Sequence, residues 1–253
     1  MQQLEAYINS FIAQGDRRFA LLAKNLAKVR AHWDTHTGGN AQSAFGRFVA
    51  TYNWLGDPKN KAKFDITGNL SRNLTGALMQ DYLIHLVIQL LQPYPALEVL
   101  TEVPVPFGTY PLWEGGSIVH SVPSQRVDLA VGYIFQGGEQ LVPIDPWPRL
   151  VLSRLESGQF VLPVLVINSK IRVSQSEFFD WLGREELLTK GNPHCLSLQV
   201  ALRSEMDLRI VQAAQASGGF FLLGRGRETN VVGDPGELAK LAATISEHLA
   251  ERM

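Results

Sequence analysis

The nine-residue segment FVLPVLVIN at 160 to 168, apolar except for its last residue, constrains the fold of this chain more than any other segment. It carries no charge and shows no alternation of polar and apolar side chains, which is typical of a strand buried in the core. The chain then continues directly into Ser169, Lys170 and Arg172. Because burial of an ammonium group is costly unless an anion faces it, we expect Lys170 to reach solvent or to meet an anionic partner.

The order of elements around this run predicts a mixed α/β fold. Apolar residues recur at helical spacing from about residue 4 to 52, a polar stretch at 55 to 69 is interpreted as a loop, and a long apolar helix is predicted from about 70 to 92. The later predicted elements are strands at 97–106, 126–135 and 160–168, a helix at 174–190, a strand at 195–202, a helix at 207–216, a strand at 219–224 and a last amphipathic helix. We therefore predict a central mixed sheet flanked by helices, preceded by a helical N-terminal subdomain.

The composition limits the class of protein. With 45% hydrophobic residues the chain can form a substantial core, and its single cysteine, Cys195, excludes an internal disulfide and a cysteine-based zinc site. No run of 18 uncharged apolar residues and no secretory leader pattern occurs, so we expect no membrane association and a cytoplasmic location. The net charge of -1 neither supports nor excludes a nucleic-acid partner, because local charge clusters matter more than the total.

A second charged residue lies in an apolar strand pattern. Asp128 is embedded in RVDLAVGY, where an unpaired carboxylate would be expensive to bury. If the strands that carry Asp128 and Lys170 are neighbours, the two side chains form a compact charged site. A carboxylate and a main-chain carbonyl suit Mg²⁺, and a lysine can orient or help to deprotonate a water beside that metal. The pattern favours metal-assisted hydrolysis of a phosphodiester.

Such a site normally needs a second carboxylate, and several residues are candidates. The position two residues before the lysine is Asn168, whose amide oxygen can bind a metal but carries no charge. On the following helix, Glu185 falls on the apolar side and is our main candidate, with Glu186 at its margin. Glu177 is expected to form a capping box with Ser174. Asp81 also stays open, since it lies on a polar stripe with His85 and Gln89 that either faces solvent or points at a neighbouring site.

Three segments, RVDLAVGY, VLVINSKIRVSQSEFFDWLGREELL and HCLSLQVALRSEMD, together resemble the core of the PD-(D/E)XK nucleases, in particular the type II restriction endonucleases. The resemblance implies that Asp128 binds the metal and that Lys170 is catalytic. Some restriction enzymes replace the acid before the lysine by a neutral residue and take a glutamate from the next helix, as Asn168 and Glu185 suggest. Asp145 in PIDPWP is a rival for the first motif, although its flanking prolines favour a rigid loop.

The resemblance implies a Mg²⁺-dependent endonuclease that cuts double-stranded DNA at a specific sequence as a homodimer or homotetramer, since cutting two strands calls for two active sites. It divides the chain into an N-terminal subdomain for DNA recognition or dimerisation (1–69), a nuclease core (70–224) and a C-terminal helix on that core (225–253). The N-terminal helices and residues 109–125 are candidates for base reading. The predicted DNA-binding residues are Arg172, Lys59, Lys61, Lys63, Arg225 and Arg227.

Two other interpretations stay open. A nuclease of the same fold could act in DNA repair or recombination, selecting DNA structure rather than sequence. Alternatively, the chain could be a non-catalytic DNA-binding or interaction module, in which Asp128 and Lys170 form an internal salt bridge.

Overall fold

The structure is a computed structural model that describes residues 2–15, 19–24, 41–107, 110–114, 117–136, 141–144 and 159–252. Residues 19–24 are helical. The helices are α1 (Gln2–Ala13), α2 (Ala41–Gly56), α3 (Pro58–Phe64), α4 (Gly68–Leu90), α5 (Gln175–Gly191), α6 (Leu208–Ala216) and α7 (Pro235–Arg252). The strands are β1 (Glu98–Pro106), β2 (Tyr110–Glu114), β3 (Ser117–Gln136), β4 (Leu141–Ile144), β5 (Gln159–Val173), β6 (Leu196–Ser204), β7 (Phe220–Leu222), β8 (Gly224–Arg227) and β9 (Asn230–Gly233).

The central sheet is mixed, as the sequence predicts. Its main path runs in the order β1-β3-β5-β6-β7, while β2 and β4 pair with β3 off this path. β3 is antiparallel to both β1 and β5, whereas β5, β6 and β7 are parallel to one another. Strands β8 and β9 form a separate hairpin. The predicted α/β class is confirmed, and β5 is the strand where the antiparallel and parallel halves of the sheet meet.

Strand β5 is buried on both faces, which explains its uninterrupted apolar run. Leu165 and Ile167 belong to the cluster that α4 and α7 form with the sheet. Val161 and Val166 belong instead to a cluster that includes Leu188 of α5. Each such side chain contributes about 2 kcal/mol by leaving water. Helices therefore cover both faces of the sheet, and the polar end of β5 emerges from this core.

Two predicted boundaries are wrong. The stretch 55–69, interpreted as a loop, contains helix α3, because the side chain of Asp57 caps its N-terminus and Pro58 occupies its first turn. The strand predicted at 126–135 begins at Ser117, so most of residues 109–125 lie in β2 and β3. Asp145, the rival for the first motif, lies outside the described residues.

The polar stripe on α4 does not face solvent throughout. Asp81 is buried, and its Oδ2 accepts a hydrogen bond of 3.0 Å from the backbone N–H of Leu4. This contact satisfies one of the free N–H groups in the first turn of α1. One turn further along α4, His85 and Gln89 form a side-chain hydrogen bond of 3.0 Å. The solvent-facing interpretation is therefore wrong for Asp81, which joins α1 to α4.

Cys195 is a buried free thiol, as predicted, and burial raises its pKa to about 12. None of the helices in the described part of the chain is long and apolar enough to cross a membrane.

Candidate active site

Asp128 and Lys170 meet at the junction of β3 and β5. The antiparallel register pairs Leu129 with Ile167, which brings Asp128 to the end of the apolar run in β5. There the Oδ2 atom of Asp128 accepts two hydrogen bonds from Ser169, one from the backbone N–H at 2.6 Å and one from the hydroxyl at 3.1 Å. Lys170 follows directly. The buried β5 strand thus fixes the carboxylate and delivers the lysine to the same place.

Both side chains line one cleft of about 570 Å³. Its walls come from α2, α4, the ends of β5 and β6, and the turn of the β8–β9 hairpin. The polar residues that line it are Tyr52, Ser71, Arg72, Thr75, Gln80, Asp128, Ser169, Lys170, Arg172, Glu177, Arg203 and Glu228. The cleft is large enough to admit a segment of a polymeric substrate, and its charged groups are concentrated on the sheet side.

The environment of Asp128 favours a bound cation. Burial raises the pKa of Asp128, the hydrogen bonds from Ser169 and the charge of Lys170 act in the opposite direction, and the charge of Glu102 adds to the rise. Both hydrogen bonds from the described residues go to Oδ2, which leaves Oδ1 without a donor. A cation bound at the free oxygen would stabilise the ionised form of this half-buried carboxylate, which has a like charge nearby.

Glu102 is an acid of this site that sequence reasoning missed. In the register of β1 and β3, Thr101 pairs with Leu129 and Val103 pairs with Val127, so Glu102 lies opposite Asp128 and the register does not shift there. Its φ of 53° lies in the left-handed region, which non-glycine residues rarely adopt. The alternating pattern of the segment indicated an ordinary strand, and a single residue in the left-handed conformation leaves no trace in such a pattern.

Two side chains hold the Glu102 carboxylate. It accepts hydrogen bonds from Gln80 at 2.6 Å and from Arg126 Nε at 2.9 Å. Because Gln80 also lines the cleft, this contact links Glu102 of β1 to the cleft wall on α4. A left-handed backbone and two hydrogen bonds to the carboxylate are features expected of a residue whose side-chain position is important for function.

The other candidate acids take different positions. Glu185 is half-buried on α5, where burial raises its pKa, and it does not belong to the described residues that line the cleft. Glu186 is exposed and pairs with Lys190 at 2.6 Å. Asp81 binds α1. The structure therefore brings Glu102, rather than Glu185, into electrostatic contact with Asp128.

Glu177 forms the predicted capping box with Ser174 and also lines the cleft. Burial raises its pKa, but hydrogen bonds from Ser174 and the charges of Lys170 and Arg172 hold the pKa below its usual value. Glu177 is thus an ionised group beside Lys170. Asn168 is half-buried on β5, next to Ser169, and is not one of the described residues lining the cleft.

The predicted DNA-binding residues divide into two groups by position. Arg172 lines the cleft and donates to Glu205 at 3.1 Å. The remaining five lie on α3 and the β8–β9 hairpin: Lys59, Lys61, Lys63, Arg225 and Arg227. Lys61 pairs with Glu228 of the hairpin at 3.3 Å, and Glu228 lines the cleft, so α3 and the hairpin form one rim of it.

Among the other rim cations, Arg225 pairs with Asp234 at 3.1 Å, and the ammonium group of Lys63 lies 5.3 Å from the centre of the Phe64 ring. Lys59 and Arg227 are exposed. These side chains are accessible to a polyanion that enters the cleft, although exposed ion pairs contribute little to stability.

A magnesium site at Asp128 fits the residues present. No group of three or more His, Cys, Asp and Glu side chains in the described ranges is arranged to hold a metal ion. A hard cation at Asp128 Oδ1 would therefore take most of its ligands from carbonyl oxygens and water. Mg²⁺ commonly binds proteins in this way, through one or two carboxylates and several waters.

Comparisons with known proteins support the fold. No protein-family model matches the chain, and no curated protein sequence does. The chain is similar to a chain in the solved structure described as "native BbvCI A2B2 tetramer at low resolution", with a TM-score of 0.50 and 12% identity over 100% of this chain and 97% of that one. BbvCI is a restriction endonuclease. At this identity the similarity concerns the fold alone, and the core of this chain has a restriction-endonuclease-like architecture.

Proposed function

We propose that this protein is a type II restriction endonuclease that hydrolyses phosphodiester bonds of double-stranded DNA with Mg²⁺. The observation that carries the proposal is the joint placement of Asp128 and Lys170 in one cleft, at the junction of two strands of a restriction-endonuclease-like sheet. Lys170 is exposed, and no salt bridge joins it to Asp128 among the described ion pairs. This argues against the internal salt bridge of a non-catalytic module.

Each residue then has a specific role. Asp128 holds the metal through Oδ1, while Ser169 fixes the carboxylate through Oδ2. Bound Mg²⁺ acidifies a water and neutralises charge that develops on the phosphate. Lys170 orients the attacking water or accepts its proton, and Asn168 offers a neutral oxygen nearby. The sequence resemblance assigns the second carboxylate to Glu185. The acid whose charge acts on Asp128 is Glu102, and the acid whose charge interacts with Lys170 is Glu177.

Cutting both strands of a duplex requires two active sites. The similar solved structure is an A2B2 tetramer. We propose that this chain likewise acts in an assembly of at least two catalytic chains, a homodimer or homotetramer, with the N-terminal helices and residues 109–125 available for base reading.

Plasmid digestion tests the proposal. Purified protein is incubated with a supercoiled plasmid in Mg²⁺ or in EDTA, and the ends of the products are sequenced. The proposal predicts discrete fragments with 5′-phosphate ends in Mg²⁺ alone. Products that form only at junctions or at DNA ends would favour the structure-selective repair nuclease, and an intact plasmid under all conditions would contradict a nuclease function.

A further inference from the structure

Arg203 occupies an unusual position in the cleft wall. It lies near the end of β6, and the parallel register of β5 and β6 pairs it directly with Arg172. Its side chain is only 14% exposed, yet it lines the cleft. Two guanidinium groups are therefore held side by side at the open ends of two neighbouring strands, and one of them is largely removed from water.

The contacts of Arg203 leave it short of negative charge. Its Nη1 lies 3.9 Å from Oε1 of Glu205, the same oxygen that Arg172 binds at 3.1 Å. Its Nε is buried and has no hydrogen-bond partner among the described residues. One exposed carboxylate is therefore shared between two guanidinium groups, and the shorter contact belongs to Arg172.

The remaining neighbour of Arg203 does not supply an anion. The hydroxyl of Tyr52 lies within hydrogen-bonding reach of Arg203, but burial raises the pKa of Tyr52 more than the charge of Arg203 lowers it, so the phenol stays neutral. The other acids that line the cleft have their own partners, since Glu177 caps α5, Glu228 pairs with Lys61 and Asp128 accepts from Ser169. Burial of a guanidinium with an unpaired donor is costly, and a bound anion would remove that cost.

We infer that Arg203, together with Arg172, binds a phosphate group of the DNA backbone in this cleft. The inference rests on the proposed function, because it takes the DNA substrate from there. A guanidinium group matches two phosphate oxygens with two parallel N–H donors, which a lysine cannot do. The shared Glu205 keeps the two arginines together in the absence of DNA, and the phosphate provides the acceptor that the buried donor lacks.

The bound phosphate is a different phosphate from the scissile one. Arg172 is four residues beyond Asn168 on β5, which corresponds to about 13 Å along the strand from the point where Asp128 pairs. Contacts to phosphates fix the register of DNA but carry no base information. Arg203 is therefore a positioning residue, and its loss affects DNA binding and KM rather than sequence preference or the chemical step.

Binding of a short fluorescein-labelled duplex in Ca²⁺, followed by anisotropy across a range of salt concentrations, tests the inference. We expect Arg203→Met to weaken binding roughly tenfold and to reduce the slope of log K against log salt by about one. Arg203→Lys retains the charge and should retain the slope with an intermediate affinity. Arg209→Met is the matched control, because Arg209 is exposed on α6 and does not line the cleft; it should leave both quantities unchanged.

A second measurement separates a phosphate contact from a general effect on folding. Single phosphates of the duplex are replaced by neutral methylphosphonates. At one position the replacement should weaken binding by the wild type but not by Arg203→Met, which is the coupling expected of a direct contact. Thermal unfolding of each variant confirms that it is folded.

The outcomes distinguish this inference from the proposed function. Wild-type affinity and salt slope in Arg203→Met, with normal cleavage by the wild type, overturn the inference alone. Binding that depends on Arg203, without any cleavage in Mg²⁺, supports the phosphate site and contradicts the nuclease. If the wild type does not bind the duplex, both are overturned.

Discussion

The two ends of the cleft leave opposite kinds of polar atom without a partner among the described residues, and both ends depend on strand β5. At the β3–β5 junction, Asp128 lies near a second acid, Glu102. At the β5–β6 junction, Arg172 and Arg203 share one carboxylate. At the first end Asp128 Oδ1 accepts no hydrogen bond from the described residues, and at the second end Arg203 Nε has no acceptor among them. The function proposed above would supply both partners, with a magnesium ion at the first end and a DNA phosphate at the second.

The topology of the sheet produces this difference. Because β5 is antiparallel to β3, its end meets the middle of β3 and can fix a side chain from a buried strand. Because β5 is parallel to β6, the two strands end together and present neighbouring side chains at the same edge. The antiparallel half thus suits a rigid, desolvated site for chemistry, and the parallel half suits an accessible surface for substrate.

The largest expected effect separates the two ends kinetically. Asp128→Asn should lower kcat of DNA cleavage by at least about 10³-fold with little change in DNA affinity, because the amide cannot neutralise the metal. Arg203→Met should raise KM and leave kcat nearly unchanged. Steady-state cleavage of a plasmid by both variants makes the comparison. If Arg203→Met lowers kcat as much as Asp128→Asn does, the assignment of chemistry to one end and DNA binding to the other is wrong.

A second prediction concerns the second carboxylate at the acidic end. Glu102→Gln preserves an acceptor for Arg126 but removes the charge next to Asp128, so we expect Mg²⁺ affinity to fall roughly tenfold. Glu185→Gln is the comparison, because Glu185 is the second carboxylate that the sequence resemblance implies, whereas Glu102 lies opposite Asp128 in the strand register. Calorimetric titration with Mg²⁺ checks both. A larger loss in Glu185→Gln would favour the arrangement that the sequence resemblance implies.

The smallest effect is on the pH dependence of stability. The pKa of Asp128 is raised in the folded state, so the folded protein binds this proton at pH values where the unfolded chain does not. Without metal, this group therefore lowers the free energy of unfolding as pH rises through the raised pKa. Asp128→Asn should abolish that contribution, and Mg²⁺ should raise Tm of the wild type more at neutral pH than at acidic pH.

Thermal melts of both proteins across this pH range, with and without Mg²⁺, measure the effect. An identical pH dependence in wild type and Asp128→Asn would mean that the carboxylate is not desolvated as the contacts indicate.

The sequence was sufficient for those parts of the site that depend on local patterns. The apolar run before Lys170 identifies a buried strand whatever its neighbours are, and the spacing of Ser174 and Glu177 specifies a capping box that the structure contains. Asp128 stands out because a carboxylate in an apolar strand requires a partner. These signals lie within a few residues, so they are readable without knowledge of the tertiary fold.

Other features depend on contacts that are distant in sequence. The position of Glu102 opposite Asp128 and the pairing of Arg172 with Arg203 arise from strand register, which periodicity does not define. The sequence left Asp81 open between facing solvent and pointing at a neighbouring site, and it is buried because it accepts a hydrogen bond from α1, which is distant in sequence. Helix α3 is a different case: Asp57 and Pro58 are a start signal for a helix, and the surrounding polar residues concealed it.

Single-turnover cleavage of plasmid DNA by Lys170→Ala tests the central claim most directly, with Lys190→Ala as the matched control. Lys190 is an exposed lysine that pairs with Glu186 on α5. We predict that Lys170→Ala lowers the rate of cleavage in Mg²⁺ by about 10²- to 10⁴-fold while DNA binding is retained, and that Lys190→Ala cleaves like the wild type. Wild-type cleavage by Lys170→Ala would contradict the assignment of this cleft as the active site.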